Sequence, residues 1–289
     1  MSADAGPALQ RSSGTARISF KCRASGTCLD ELYQQGCSKV RFPRKQDGTP
    51  EAVLLNTAGG LADGDTLTSE IHWRGGARAT VTSQAAERVY RAAGGGSARV
   101  TTRLRVDADA VACWLPQETI VFDGARLARS LEIEVAPDAR LLALESTVFG
   151  RRAMGETVSR GRVSDRWRLR IGGRLVFADH FLLDDALTGP IDTSLARGPV
   201  ADGAHCLATL VVVAPDSDRI VTAAREAQFE SSSESPVKER AHIGATLLDG
   251  LAVLRIVAAD GAAMRAGLTR LVTLAGETSG ITLPRVWHC

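Results

Sequence analysis

The chain has 289 residues, of which 35 are Lys or Arg and 33 are Asp or Glu, for a formal net charge of +2. Such balance excludes a global pull toward nucleic acid or an anionic membrane, so a charged partner must be met by a local patch. The length suffices for a large core, and a single domain over 1–289 is expected.

The opening MSADAGPALQRSSG carries no apolar h-region, and no later segment approaches the roughly 18 uninterrupted apolar residues that span a bilayer. A disordered tail over about 1–14 and a cytoplasmic location are expected. Six cysteines, at 22, 28, 37, 113, 206 and 289, form no C-x-x-C pair. That spacing writes neither a zinc knuckle nor a redox motif, and small buried thiols are the simpler expectation.

The stretch LLNTAGGLADGDTLTSEIHW, Leu54–Trp73, mixes glycines that admit an anion with acids that suit a cation. A phosphate loop needs Gly-Lys-Ser/Thr, but Asp65 and Thr66 follow Gly64. An EF-hand counted from Asp63 finds Thr68 and Arg74 where glycine and glutamate belong. The loop therefore reads as a turn between strands. Leu67, Ser69, Ile71 and Trp73 then alternate with Thr66, Thr68, Glu70 and His72, the period of a half-buried strand.

The alternation recurs. Val100, Thr102, Leu104 and Val106 oppose Arg99, Thr101, Arg103 and Arg105; Leu131, Ile133 and Val135 oppose Glu132 and Glu134; Trp167, Leu169 and Ile171 oppose Arg166, Arg168 and Arg170. ARLLALESTVF adds a further strand after the Ala136, Pro137, Asp138 turn. The class predicted is mainly β, a large antiparallel β-scaffold from about Arg17 to Pro215. Two or so helices follow in the C-terminal third: one from Asp216–Asp218 through RIVTAAREAQFE, and one capped by Asp260 with Met264, Leu268, Leu271, Val272 and Ala275 on one face and Gly276 as its stop. SSSESP, Ser231–Pro236, reads as a mobile loop between them.

No H-E-x-x-H or G-x-S-x-G occurs, so no sequence-local catalytic site is written. Instead Asp63, Glu87, Glu118, Asp123, Glu145 and Asp179 lie beside glycine or aromatics in apolar surroundings. A β-scaffold with inward acids has a polar interior, suited to passing a hydrated cation. The run Arg151–Arg174 is the sharpest basic feature; with almost no aromatic interleaving it fits an acidic protein surface as well as nucleic acid.

LLNTAGGLADGDTL, VTSQAAERVYRA, WLPQETIVFDGARL, FGRRAMGE and LPRVW, in that order between about Gln35 and Trp287, resemble the blocks of the urease accessory protein UreD (UreH) family. The resemblance implies a non-enzymatic maturation factor. Such a factor binds UreF, UreG through UreF, and the urease structural subunits, and helps deliver nickel to a dinickel site. It further implies a β-rich fold, partner binding through C-terminal elements, an internal passage for nickel, and an oligomeric state set by the complex. On that reading nickel is in transit and no cofactor is tightly held. The six acids named above are the transit candidates, and Arg151, Arg152, Met264, Leu268, Leu271, Arg285 and Trp287 are the partner-binding candidates. No nucleic acid and no membrane are expected. The competing expectation is an independent metal- or small-molecule-dependent enzyme with NTAGG, Asn56–Gly60, as its ligand loop.

Overall fold

The computed structural model describes residues 10–44, 49–231, 241–279 and 283–288. Its strands, in chain order, are β1 Ser13–Arg23, β2 Gly26–Gly36, β3 Ser38–Arg41, β4 Glu51–Asn56, β5 Thr66–Trp73, β6 Arg78–Ser83, β7 Glu87–Val89, β8 Ala98–Val106 and β9 Val111–Leu115. They continue with β10 Thr119–Val121, β11 Ala125–Val135, β12 Arg140–Phe149, β13 Gly161–Ile171, β14 Arg174–Asp184, β15 Cys206–Val213, β16 Ala241–Leu248 and β17 Leu251–Ala258. Four helices join them: α1 Asp185–Thr188, α2 Ile191–Leu195, α3 Ser217–Ser231 and α4 Gly261–Ser279. None is long and apolar enough to cross a membrane.

The mainly-β expectation holds, but the antiparallel one holds only in part. One sheet has the order β14-β13-β11-β8-β5-β1-β2; the other runs β16-β17-β15-β12-β9-β6-β4-β3, with β10 beside β12 and β7 beside β10. From β4 to β13 the longer strands alternate between the sheets, so each crossover returns the chain to its sheet in the same direction. Among the described residues nine strand pairings are parallel and six antiparallel. The body is a flattened coil whose crossovers are themselves strands, and hairpins reverse the direction at both ends of the first sheet.

Side-chain alternation sorts the faces. Ile18, Phe20, Ile71, Trp73, Leu104, Leu131, Ile133, Trp167 and Leu169 meet Val81, Trp114, Leu141 and Val211 in a core between the sheets. Leu61, Val89, Leu127, Phe149, Val163 and Leu183 form a second inter-sheet core. A third lies on the far side of the second sheet, where α3 and α4 cover β15 and β17. Asp260 caps α4 as expected, accepting from the Ala263 amide at 2.9 Å.

Gly276 does not stop α4, which runs on to Ser279. Gly276 lacks the positive φ that a C-terminal glycine uses to leave a helix, and its neighbour Ala275 is buried in the core. Of the expected tail, 1–9 lie outside the described residues, while Ser13 and Gly14 already belong to β1. Ser231 ends α3, and 232–236 of the expected loop lie outside the described residues.

The outer face of the first sheet accounts for the arginine-rich strands. Register places Arg17, Glu70, Arg103, Glu132 and Arg168 in one row across β1, β5, β8, β11 and β13. Arg17 reaches Glu70 at 2.8 Å, and Arg103 reaches Glu70 at 3.1 Å and Glu132 at 3.3 Å. Arg168 and Arg170 on β13 thus face Glu132 and Glu134 on the neighbouring strand, and Arg168 ends a row of alternating sign.

Candidate functional site

The two inter-sheet cores are separated by a polar layer. Along β11 the inward positions read Leu127, Arg129, Leu131; along β13, Val163, Asp165, Trp167; along β12, Ala143, Glu145, Thr147, Phe149. Arg129 and Asp165 are register partners in the first sheet, and Glu145 faces them from the second. The Arg129 guanidinium lies 2.7 Å from Glu145 Oε2 and 2.6 Å from Asp165 Oδ2, and it donates to Thr119 and Thr147 Oγ1 at 3.1 Å each. Trp114 Nε1 donates to Glu145 Oε1 at 3.0 Å.

Arg129 is 5% exposed and Glu145 7%. Burial pushes the Glu145 carboxyl above its usual range; Arg129 and Trp114 pull it back, while Asp165 adds repulsion. Burial disfavours the Arg129 charge, but Asp165 and Glu145 outweigh it and raise that pKa. One guanidinium therefore serves two carboxyl groups.

Two cavities meet at this cluster. The first, about 270 Å³, extends between the sheets from Asn56, Gly60 and Glu87 to Arg129 and Glu145. The second, about 180 Å³, extends from the same Arg129 and Glu145 past Asp165 to Asp179 and Arg255. At the outer end of the second, Arg255 Nη2 on β17 donates to Asp179 Oδ2 on β14 at 2.8 Å, tying the sheets together. At the outer end of the first, Asn56 Nδ2 donates to both Glu87 oxygens at 3.1 and 3.2 Å. Glu87 is held by an amide, and burial raises its pKa more than Asn56 lowers it.

The Asn56–Gly60 loop is held largely by its own atoms. Asn56 Oδ1 accepts from the Ala58 amide at 3.0 Å, and Tyr90 Oη donates to the Gly59 carbonyl at 2.9 Å. Gly60 adopts φ +147°, and a Cβ there would sit 2.3 Å from the Tyr90 ring. The loop is thereby folded down beside Glu87, where it forms part of the first cavity's wall.

Of the six acids singled out, Glu87, Glu145 and Asp179 line this pair of cavities. Asp63, Glu118 and Asp123 are not among the residues lining either one. Asp63 accepts from Arg11 and from the Ala93 and Gly94 amides; burial raises its pKa, and those donors more than reverse it. Asp123 accepts from the Ser159 and Arg160 amides and from Arg91. Glu118 meets Arg265 at 2.7 Å. These three hold loops and α4 in place.

Four partner-binding candidates require correction. Met264, Leu268 and Leu271 are buried where α4 packs on the second sheet, because the apolar face of this helix is its core face. Trp287 is buried too: its Nε1 donates to the Leu115 carbonyl at 3.1 Å, and its ring lies 4.5 Å from the Arg265 guanidinium. Arg151, Arg152 and Arg285 are exposed. Arg151 grips Glu156 in a bidentate pair at 3.0 and 3.1 Å and stacks over Phe122, beside the exposed Met154.

Sequence reading missed Arg129 and Asp165, although a signal was present. Extending the inward phase of Leu131, Ile133 and Val135 back one step reaches Arg129, and extending that of Trp167, Leu169 and Ile171 back one step reaches Asp165. The expectation of small buried thiols holds for Cys113 and Cys206, where burial pushes Cys206 up to about 12, but not for Cys22, which is exposed, or for Cys28 and Cys37, which are half-buried; Cys289 lies outside the described residues.

The family model described as UreD urease accessory protein matches residues 12–288. A urease accessory protein UreD of Sinorhizobium medicae is 43% identical over 287 residues, covering 99% of both chains. A urease accessory protein UreD 1 of Brucella abortus is 40% identical over 283 residues, covering 98% of this chain and 96% of its own. A urease accessory protein UreD of Rhizobium leguminosarum is 38% identical over 279 residues, covering 96% of each. With matches that run nearly end to end, the chain belongs to the UreD urease accessory protein family.

Proposed function

We propose that the protein is a urease maturation factor, a cytoplasmic, non-catalytic scaffold that binds apo-urease together with UreF, and UreG through UreF, and conducts nickel toward the dinickel site. The observation that carries the reading is the pair of inter-sheet cavities joined at the Arg129, Glu145 and Asp165 cluster. The names of the relatives supply the link to urease.

Nickel is the cargo, and it accepts carboxylate, imidazole and water oxygen as ligands. A hydrated divalent cation entering a protein interior loses solvation that oxygens on the walls replace, and Glu87, Glu145 and Asp179 supply such oxygens in sequence. Among the described residues no three of His, Cys, Asp and Glu converge as a metal-holding group. One or two carboxylates at a time bind weakly enough to release. Arg151, Arg152 and Arg285 are exposed and are the partner-facing candidates, with Arg151 already paired to Glu156.

The test is substitution with two separate readouts. Glu87→Gln and Asp179→Asn are expected to capture UreF and urease subunits as the parent does while lowering nickel loading of urease, about tenfold in rate for each 1.4 kcal/mol added to the barrier. If every substitution that lowers nickel content also breaks the complex, the acids are architectural and the conduit reading falls.

A further inference from the structure

The polar layer poses a problem of stability. A guanidinium and two carboxyl groups sit between two apolar cores, where an apolar set of similar volume is commonly as stable or more so. Their arrangement is also incomplete as an ion-pair network. Arg129 Nε and Asp165 Oδ1 are buried without a hydrogen-bond partner, although every other polar group of the cluster is engaged. Structural economy does not explain a buried arginine with a spare donor beside a carboxylate with a spare acceptor.

Position does. Arg129 and Glu145 are the charged residues that line both cavities, so the guanidinium stands where the first meets the second. It is the only cation drawn between Glu145 and Asp165 in the ion pairs of the described residues. We propose that Arg129 is the gate of the passage, a tethered counter-ion that occupies the two-carboxylate station between transfers and is displaced by each divalent cation that passes. This inference rests on the conduit reading above and adds to it the control of that path.

The exchange is balanced in charge. Glu145 and Asp165 together offer two negative charges, which neutralise a divalent cation while the guanidinium swings aside on its flexible stem. Space for that movement exists on both sides, where the guanidinium borders each cavity, and the Glu87 carboxyl lies on the wall of the first. When the guanidinium returns it expels the cation, because three positive charges cannot share two carboxylates in a low-dielectric interior. A passage without the gate would become a trap.

The experiment uses the full chain assembled with its partners, with nickel chloride as the probe. Arg129→Met is expected to retain nickel through gel filtration where the parent does not, and to activate urease roughly tenfold more slowly. Adding Glu145→Gln to Arg129→Met is expected to abolish that retention. If Arg129→Met fails to fold, Arg129→Lys serves, since an ammonium lacks the fork that engages both carboxylates at once; it is expected to retain more nickel than the parent. A folded, assembled Arg129 variant with parental retention and parental activation overturns the gate. Thr209→Trp, which fills the second cavity from the position paired with Glu145, separates the two ideas. If it blocks activation while the Arg129 variants behave as the parent, only the gate fails; if it too leaves activation unchanged, the passage fails with it.

Discussion

Gly60 and Gly59 are adjacent glycines with positive φ, and the structure assigns them different costs. At Gly59, φ is +77° and a Cβ would meet nothing within 4 Å, so Gly59→Ala bears only the left-handed backbone penalty, about 1–2 kcal/mol. At Gly60, φ is +147° and a Cβ would lie 2.3 Å from Tyr90 Cε2 and 2.9 Å from the Arg88 carbonyl. The backbone there is disfavoured by about 1–3 kcal/mol for a non-glycine residue. Displacing a ring whose hydroxyl is bonded to Gly59 adds overpacking of about 1–3 kcal/mol. Gly60→Ala should therefore lose about 2–6 kcal/mol, and at about 2–4 °C per kcal/mol for a chain of this size the melting temperature falls by roughly 4–24 °C. Thermal unfolding of both variants, alone and with UreF, is the assay. Equal losses at the two positions would refute the argument, because then the Tyr90 contact carries no weight and the loop is set by backbone conformation alone.

Two further outcomes are expected. The Glu87 pKa is raised by burial above its usual 4.5, so its contribution to stability is fully present below that value and is lost as pH rises through the folded pKa; Glu87→Gln should flatten this part of the profile in denaturant unfolding, and an unchanged slope would show that Glu87 is not its source. Leu271→Ala should cost about 2–5 kcal/mol as a core cavity while leaving UreF capture intact at a permissive temperature; a normal melt with lost capture would return α4 to the partner surface.

Much of the fold was legible because half-buried strands announce themselves. The alternations at Val100–Val106, Leu131–Val135 and Trp167–Ile171 all fall within strands, as expected. Strand direction was not legible, because a side chain points in or out with the same period whether its neighbour runs parallel or antiparallel. The amphipathic reading of α4 was correct, but an apolar stripe does not say whether it faces the chain's own core or a partner. Glu145 stood out as an acid inside an apolar run. Its companions were hidden because a cluster drawn from β11, β12 and β13 exists only through pairing across two sheets, and because arginine and aspartate inside alternating strands look like any other polar position until the phase is followed.

The coil that carries these cavities also constrains how the chain acquires its shape. Each parallel neighbour in a sheet is reached only after a full excursion through the opposite sheet, so β5 cannot pair with β8 until the segment between them has been laid down as β6 and β7. Such non-local pairing is slow, since closure entropy must be overcome before any ladder forms. The structure is well suited to growth by accretion, one turn docking on the exposed edge of the last, with β14 folding back at the end to finish the first sheet. During synthesis the unfinished edge is a sticky template for any other strand. Crowded, simultaneous refolding from denaturant should therefore yield far more aggregate than emergence from a ribosome one turn at a time.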